Sequence, residues 1–185
     1  MANKSTRYLA LLRGINVGGK NIIAKDDLRE CFENMGLNNV RTYIQSGNIL
    51  FQSETSSIKD LTARIETALS NQFNYAAQAV VFSHKQYLSE LQAAPKNWGH
   101  DVEQKHNAMF LLGGLKPNEV MTQLPPPIEK YEQVGVGKGT IFWSASKKHL
   151  GKTTVMKLGS APVYKQMTVR NHNTTLKLLA LLEKL

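Results

Sequence analysis

A chain of 185 residues with 42% hydrophobic and 20% charged residues has the balance of a folded domain rather than a disordered segment, and suffices for one large domain or two small ones. Its formal charge of +9 is uneven: residues 138–185 hold nine Lys/Arg against one Asp/Glu, which excludes an acidic surface there and favours phosphates, nucleic acid or another acidic partner. No apolar run reaches membrane-span length, YLALL is cut by Arg13 too early for a signal-peptide core, and the single cysteine, Cys31, cannot form an internal disulfide, so the expected location is cytoplasmic, without membrane association.

RYLALL, residues 7–12, reads as a buried strand. In AKDDLRECFENMG, Leu28, Cys31, Phe32 and Met35 fall at i, i+3, i+4 and i+7, the buried stripe of a helix over 25–35. Asp26 and Asp27 lie at its positive end, Gly36 stops it, and Cys31 reads as a core thiol rather than a nucleophile. VRTYI at 40–44 and NILFQ at 48–52 are strand-like runs joined by QSGN into a hairpin. Ser57 followed by Asp60 resembles a capping box, and Ile58, Leu61, Ile65, Ala68 and Leu69 continue as a helical stripe toward Phe73. AVVF at 79–82 closes the unit as a strand, giving the split βαβ order of a ferredoxin-like domain.

The remaining chain repeats that order. A helix over 84–94 ends before Pro95, and a polar linker carries Trp98. NAMFLL at 107–112 reads as a strand, and Pro117–Leu124 as a short helix with proline near its start. YEQVGV and TIFWSA flank a Gly-Lys-Gly turn, 150–158 reads as helical, MTVR at 167–170 returns as a strand, and Asn173 is the expected cap of the final leucine-rich helix. The expected architecture is α+β: two tandem ferredoxin-like (βαββαβ) subdomains at 1–83 and 106–185, with a connecting helix and linker at 84–105 and a C-terminal helix. A single larger mixed sheet is the alternative.

GINVGGK, from Gly14 to Lys20, matches the fixed positions of a phosphate loop except the closing Ser/Thr, where Asn21 stands. Ile22 and Ile23 delay the helix, and no second magnesium partner is evident, so a nucleotide triphosphatase is not the favoured reading. SKKHLGKT at 146–153 has the Gly-Lys-Thr ending but Ser146 in place of the first glycine. Lys147, Lys148 and Lys152 still make that stretch attractive to anions.

In βαββαβ order the loop after the first strand and the hairpin after the second emerge at one edge. RGINVGGK and QSGN are therefore expected to meet, with Arg13, Asn16, Lys20, Gln45, Ser46 and Asn48 converging over a glycine-rich backbone. The plainer reading is that these glycines and asparagines serve two turns.

LLRGINVGGKN, VRTYIQSGNILF and TVRNHNTTLKL together resemble the uncharacterised bacterial family known as domain of unknown function 1697, over nearly the whole chain. The resemblance implies a small cytosolic α+β protein with no established activity. By matching motif it singles out Arg13, Gly14, Asn16, Gly18, Gly19, Lys20, Gln45, Ser46, Gly47 and Asn48, and also Arg170, Asn171, Asn173 and Thr174. His172 departs from the tryptophan usual there, so a stacking role at that position does not carry over directly. Capping of the last helix by Asn171 or Asn173 explains one asparagine, whereas Arg170 beside a positive helix end is an anion-binding arrangement.

KGTIFWSA at 138–145 partly matches an RNA-recognition strand but has Thr140 where a stacking aromatic belongs, so Phe142 and Trp143 are expected in the core. The five histidines show no metal-ligand spacing, and neither a metal nor another cofactor is expected. The sequence leaves open whether the protein is an enzyme. Its leading expectation is binding of an anionic ligand, a nucleotide or nucleic acid, through Arg13, Lys20, Lys152 and Arg170, with Asn16, Gln45 and Asn48 fixing orientation. The alternatives are an enzyme acting on a phosphorylated or carboxylated small molecule and a protein-interaction module.

Overall fold

The computed structural model describes residues 5–55 and 57–185. They form two compact units, one running to Tyr87 and also taking in Leu178–Leu185, the other spanning Leu88–Lys177. Each unit is α+β and contains a four-stranded antiparallel sheet.

The first unit runs β1 (Thr6–Leu12), α1 (Lys25–Asn34), β2 (Asn38–Tyr43), β3 (Asn48–Ser53), α2 (Ile58–Phe73) and β4 (Ala79–Ser83). The sheet order is β2-β3-β1-β4, with every neighbour antiparallel. The predicted stripe of α1 is buried through Leu28, Cys31 and Phe32, and that of α2 through Leu61, Ile65 and Leu69. Each such apolar side chain contributes about 1.5–3 kcal/mol on leaving water, which is why the stripe decides the helix face. The Ser57 hydroxyl accepts the Asp60 amide at 3.2 Å and so begins α2 as the capping pattern predicts. Between helices and sheet, Tyr8 stacks on Phe51 at 5.6 Å, Phe32 meets Phe51 edge-on, and the Tyr8 hydroxyl donates to the Thr55 carbonyl. Burial pushes the Cys31 thiol up, consistent with a core role.

After β4 comes α3 (His84–Gln92), then β5 (Gln104–Leu111), α4 (Pro117–Met121), β6 (Glu132–Val136), β7 (Thr140–Ser146), β8 (Met167–Asn171) and α5 (His172–Glu183). The second sheet has the order β6-β7-β5-β8, again antiparallel throughout. Its core gathers Met109, Leu111, Val120, Ile141, Trp143 and Met167. Phe142 and Trp143 are both fully buried, as packing rather than RNA stacking requires.

Two local expectations change and a third is narrowed. The segment after β7 forms three short 3-10 turns, Leu150–Lys152, Thr154–Ser160 and Pro162–Gln166, instead of one helix. Gly151, Gly159, Pro162 and the β-branched run Thr153–Thr154–Val155 oppose a continuous α-helix. Ile44 leaves β2 and turns with φ +49°. Of the two asparagines expected to cap α5, Asn171 does so, its Oδ1 accepting the Thr174 amide at 2.9 Å, because β8 runs straight into the helix and places Asn173 inside it.

The two units share internal geometry position by position. Leu12 N–H donates to Gly47 O and Arg13 N–H to Gln78 O; correspondingly, Leu111 N–H donates to Gly139 O and Leu112 N–H to Gln166 O. Tyr8 lies opposite Phe51 and Ser83, as Asn107 lies opposite Trp143 and Asn171. Tyr8 and Asn107 are thus equivalent, as are His84 and His172 at the heads of the following helices.

Candidate functional site

The loop leaving β1 closes on itself as a miniature hairpin. Val17 and Lys20 form an isolated bridge, with Lys20 N–H donating to Val17 O at 3.1 Å and Asn16 N–H to Asn21 O at 3.1 Å. Gly18 and Gly19 at its tip have φ +59° and +74°, the paired left-handed conformation of a two-residue hairpin turn and one that side-chain-bearing residues resist. The Gly-Gly pair is therefore hairpin chemistry, and the phosphate-loop spacing around it is coincidental.

Asn16 joins this loop to the QSGN turn. Its Nδ2 donates to the Ile23 carbonyl at 3.1 Å and the Gln45 carbonyl at 2.9 Å, while its Oδ1 accepts the Ile23 amide at 2.9 Å. Asn21 adds a bond from Nδ2 to Gly14 O at 2.8 Å. On the turn side, buried Asn48 donates to Tyr43 O at 3.0 Å and Ser46 Oγ at 2.9 Å. Gly47 packs so closely that a Cβ there would lie 2.8 Å from Leu12 Cβ and 3.0 Å from Ile15. The two loops thus meet as predicted, but the Asn16 and Asn48 amides are engaged in holding them together.

Gly14, Gly18, Gly19, Lys20 and Gln45 are exposed on this edge; Arg13, Asn16 and Ser46 are half-buried. Apolar side chains share the surface, with Val17 65%, Ile22 78% and Ile44 43% exposed. Composition alone did not bring these three together, because Ile44 reads as the end of a strand.

In the second unit, Lys152 and Asn173 are exposed, whereas Arg170 is buried and donates from NH1 to Thr168 Oγ1 and Val169 O. Asn171 is engaged as the α5 cap. The main chain just after the Gly-Lys-Thr string already holds an anion of the protein's own: the Glu132 carboxylate accepts Thr154 N–H at 2.8 Å and Val155 N–H at 2.9 Å. It also accepts Ile128 N–H and Trp143 Nε1–H. Burial pushes the Glu132 carboxyl up, but these four donors outweigh it and hold the group below its ordinary value. At the Gly-Lys-Gly turn the Glu90 carboxylate accepts Gly139 N–H at 3.1 and 3.2 Å on its two oxygens. Neither buried carboxylate was singled out in the sequence. The signal was present for Glu132, which alternates with Val134 on one face of β6.

His172 lies in an aromatic cluster, its ring 6.1 Å from Trp98 and 5.4 Å from His106, and a Cβ at Gly99 would come within 3.1 Å of it. Buried His106 bonds to Ser144 Oγ and Asp101 O, each at 2.8 Å. Burial, followed by the charges of His106, Lys147 and His100, lowers the His172 pKa. His172 thus makes edge contacts with both Trp98 and His106. Among the described residues no group of three or more His, Cys, Asp or Glu is placed to hold a metal ion.

Residues 5–142 match the family described as a protein of unknown function, DUF1697. The chain belongs to this family. The match includes both loops of the first-unit edge and stops before the RNHNT segment. Similarity continues past that point in a conserved bacterial protein from Streptococcus pneumoniae, whose solved structure is 34% identical, covers 96% of this chain and 99% of its own, and superposes with a TM-score of 0.87. No curated protein matches the chain. Among the described residues no helix is long and apolar enough to cross a membrane.

Proposed function

We propose that the protein binds an anionic ligand, a nucleotide or nucleic acid, at the edge formed by Arg13–Lys20 and Gln45–Asn48. The Asn16 brace is the observation that carries this reading. Its three hydrogen bonds lock two glycine-rich loops together, so Lys20, Gln45 and the Gly18–Gly19 main chain are offered from an ordered edge and lose little freedom on binding. Arg13 and Lys20 supply attraction, Gln45 and Ser46 supply orientation, and Gly14, Gly18 and Gly19 allow close approach. Asn16, Gly47 and Asn48 act by holding the loops. The second unit, taken by itself, exposes Lys152 and Asn173, while Arg170 and Asn171 shape the start of α5. Each unit is read as a ferredoxin-like domain, supported by the shared strand order, and the protein as cytoplasmic, supported by the lone core thiol.

The test is titration of a short single-stranded oligonucleotide into the protein at low salt, with Lys20→Glu as comparison. Binding that weakens as salt rises and is about tenfold weaker in Lys20→Glu supports the edge. Absence of binding at low salt sinks the nucleic-acid version, leaving mononucleotides to be tested by the same titration.

Exposed Val17, Ile22 and Ile44 favour a second reading, a protein-interaction module using the same edge. Under it, Ile22→Glu abolishes capture of a partner while Lys20→Glu leaves capture intact.

A further inference from the structure

A cleft of about 200 Å3 opens in the second unit between β5 and the 3-10 turns, lined by Lys105, Asn107, Met109, Met156, Leu158 and Tyr164, among others. Its origin is visible by comparison with the first unit. There α2 contributes sixteen residues of continuous helix, and the Tyr8 ring fills the space beneath the helices, stacked on Phe51. In the second unit the covering segment is three short turns, and the position equivalent to Tyr8 is Asn107, lying opposite Trp143 as Tyr8 lies opposite Phe51. A six-membered ring present in one unit is therefore replaced by open space in the other.

The lining indicates what such a space accepts. Lys105, Asn107 and Met109 alternate along β5 and share one face. Lys105 is exposed and sets a positive charge at the rim. Met109 and Leu158 are buried and Met156 is 60% exposed, so Met156 is the main apolar side chain presented to a lining that is otherwise largely polar. Tyr164 and Asn107 supply polar atoms, and among the described residues none that lines the cleft is acidic. The volume is close to that of an apolar cavity that admits benzene, about 150 Å3, and below the range of about 300–1,000 Å3 for drug-sized ligands.

We propose that this cleft binds a small monocyclic carboxylate, its ring against Met109, Met156 and Leu158 and its carboxylate at the Lys105 ammonium. All of the lining residues belong to the second unit, so the cleft does not rest on the binding edge proposed above.

The test is titration of sodium benzoate into protein carrying 13C-labelled methionine methyl groups, followed by NMR, with neutral benzamide alongside. Saturable movement of the Met109 and Met156 methyl resonances is expected, about tenfold weaker for benzamide and for Lys105→Gln, where the charged contact is lost. Asn107→Tyr restores the ring found in the first unit and is expected to abolish the response. Should that variant fail to fold, Gly159→Leu fills the cleft from its rim, at a position where a Cβ meets nothing within 4 Å. Resonances that do not move at millimolar benzoate, or that move equally in wild type and the filled variant, overturn the proposal.

Discussion

Replacing Asn16 with aspartate removes the two Nδ2 donors that reach Ile23 O and Gln45 O and sets a carboxylate against both carbonyls. The expected loss is about 2 kcal/mol of unfolding free energy by urea titration, the scale of leaving the acceptor of buried Ile23 unpaired. The Glu132 carboxylate carries a pH signature of its own. Its folded pKa lies below the ordinary 4.5, so its contribution is complete above that value and is lost as pH falls through the folded value. Glu132→Gln turns an amide toward two of its donors; a loss of about 3 kcal/mol near neutrality and a flatter acid limb of stability against pH are expected. His172 also has a depressed pKa, below its ordinary 6.5. Folding keeps it neutral, so stability is full above pH 6.5 and declines as pH falls from there through the folded value. His172→Gln is expected to remove that slope, and an unchanged slope in thermal melts between pH 5 and 7 would assign it elsewhere.

Ile44 shows what the turn element costs. A β-branched residue at φ +49° sits in a region such side chains rarely occupy, at about 1–3 kcal/mol of strain. Ile44→Asn relieves it, and a gain of about 1 kcal/mol in urea unfolding is expected. The sequence could not reveal this strain, because VRTYI has the composition of an uninterrupted strand. Helices α1 and α2 were legible for the opposite reason: Leu28, Cys31 and Phe32, then Leu61, Ile65 and Leu69, carry a periodicity that one buried face explains. The 150–166 segment has no such stripe, and its glycines, proline and β-branched run permit only local turns. The meeting of RGINVGGK with QSGN was legible from element order. That Asn16 and Asn48 would spend their amides on the loops was not, since the same residue types serve turns and ligands alike.

At the scale of the molecule, the charge excess of residues 138–185 is partly absorbed by structure. Arg170 is buried, and the backbone donors beside the two Gly-Lys strings answer to Glu132 and Glu90. Lys152 remains exposed there, as Lys20 does in the first unit. The two units repeat one strand order around differently filled cores, so a shared plan supports an ordered loop edge in one and an open cleft in the other. The most direct measurement of the central reading is the salt dependence of oligonucleotide affinity for wild type and for a double Arg13→Ala, Lys20→Glu variant. Contacts from two cations to a single strand predict a log–log slope shallower in the variant by about 1.4, about 0.7 per phosphate neutralised. Equal affinity and equal slope in the two proteins would contradict the assignment of the binding edge.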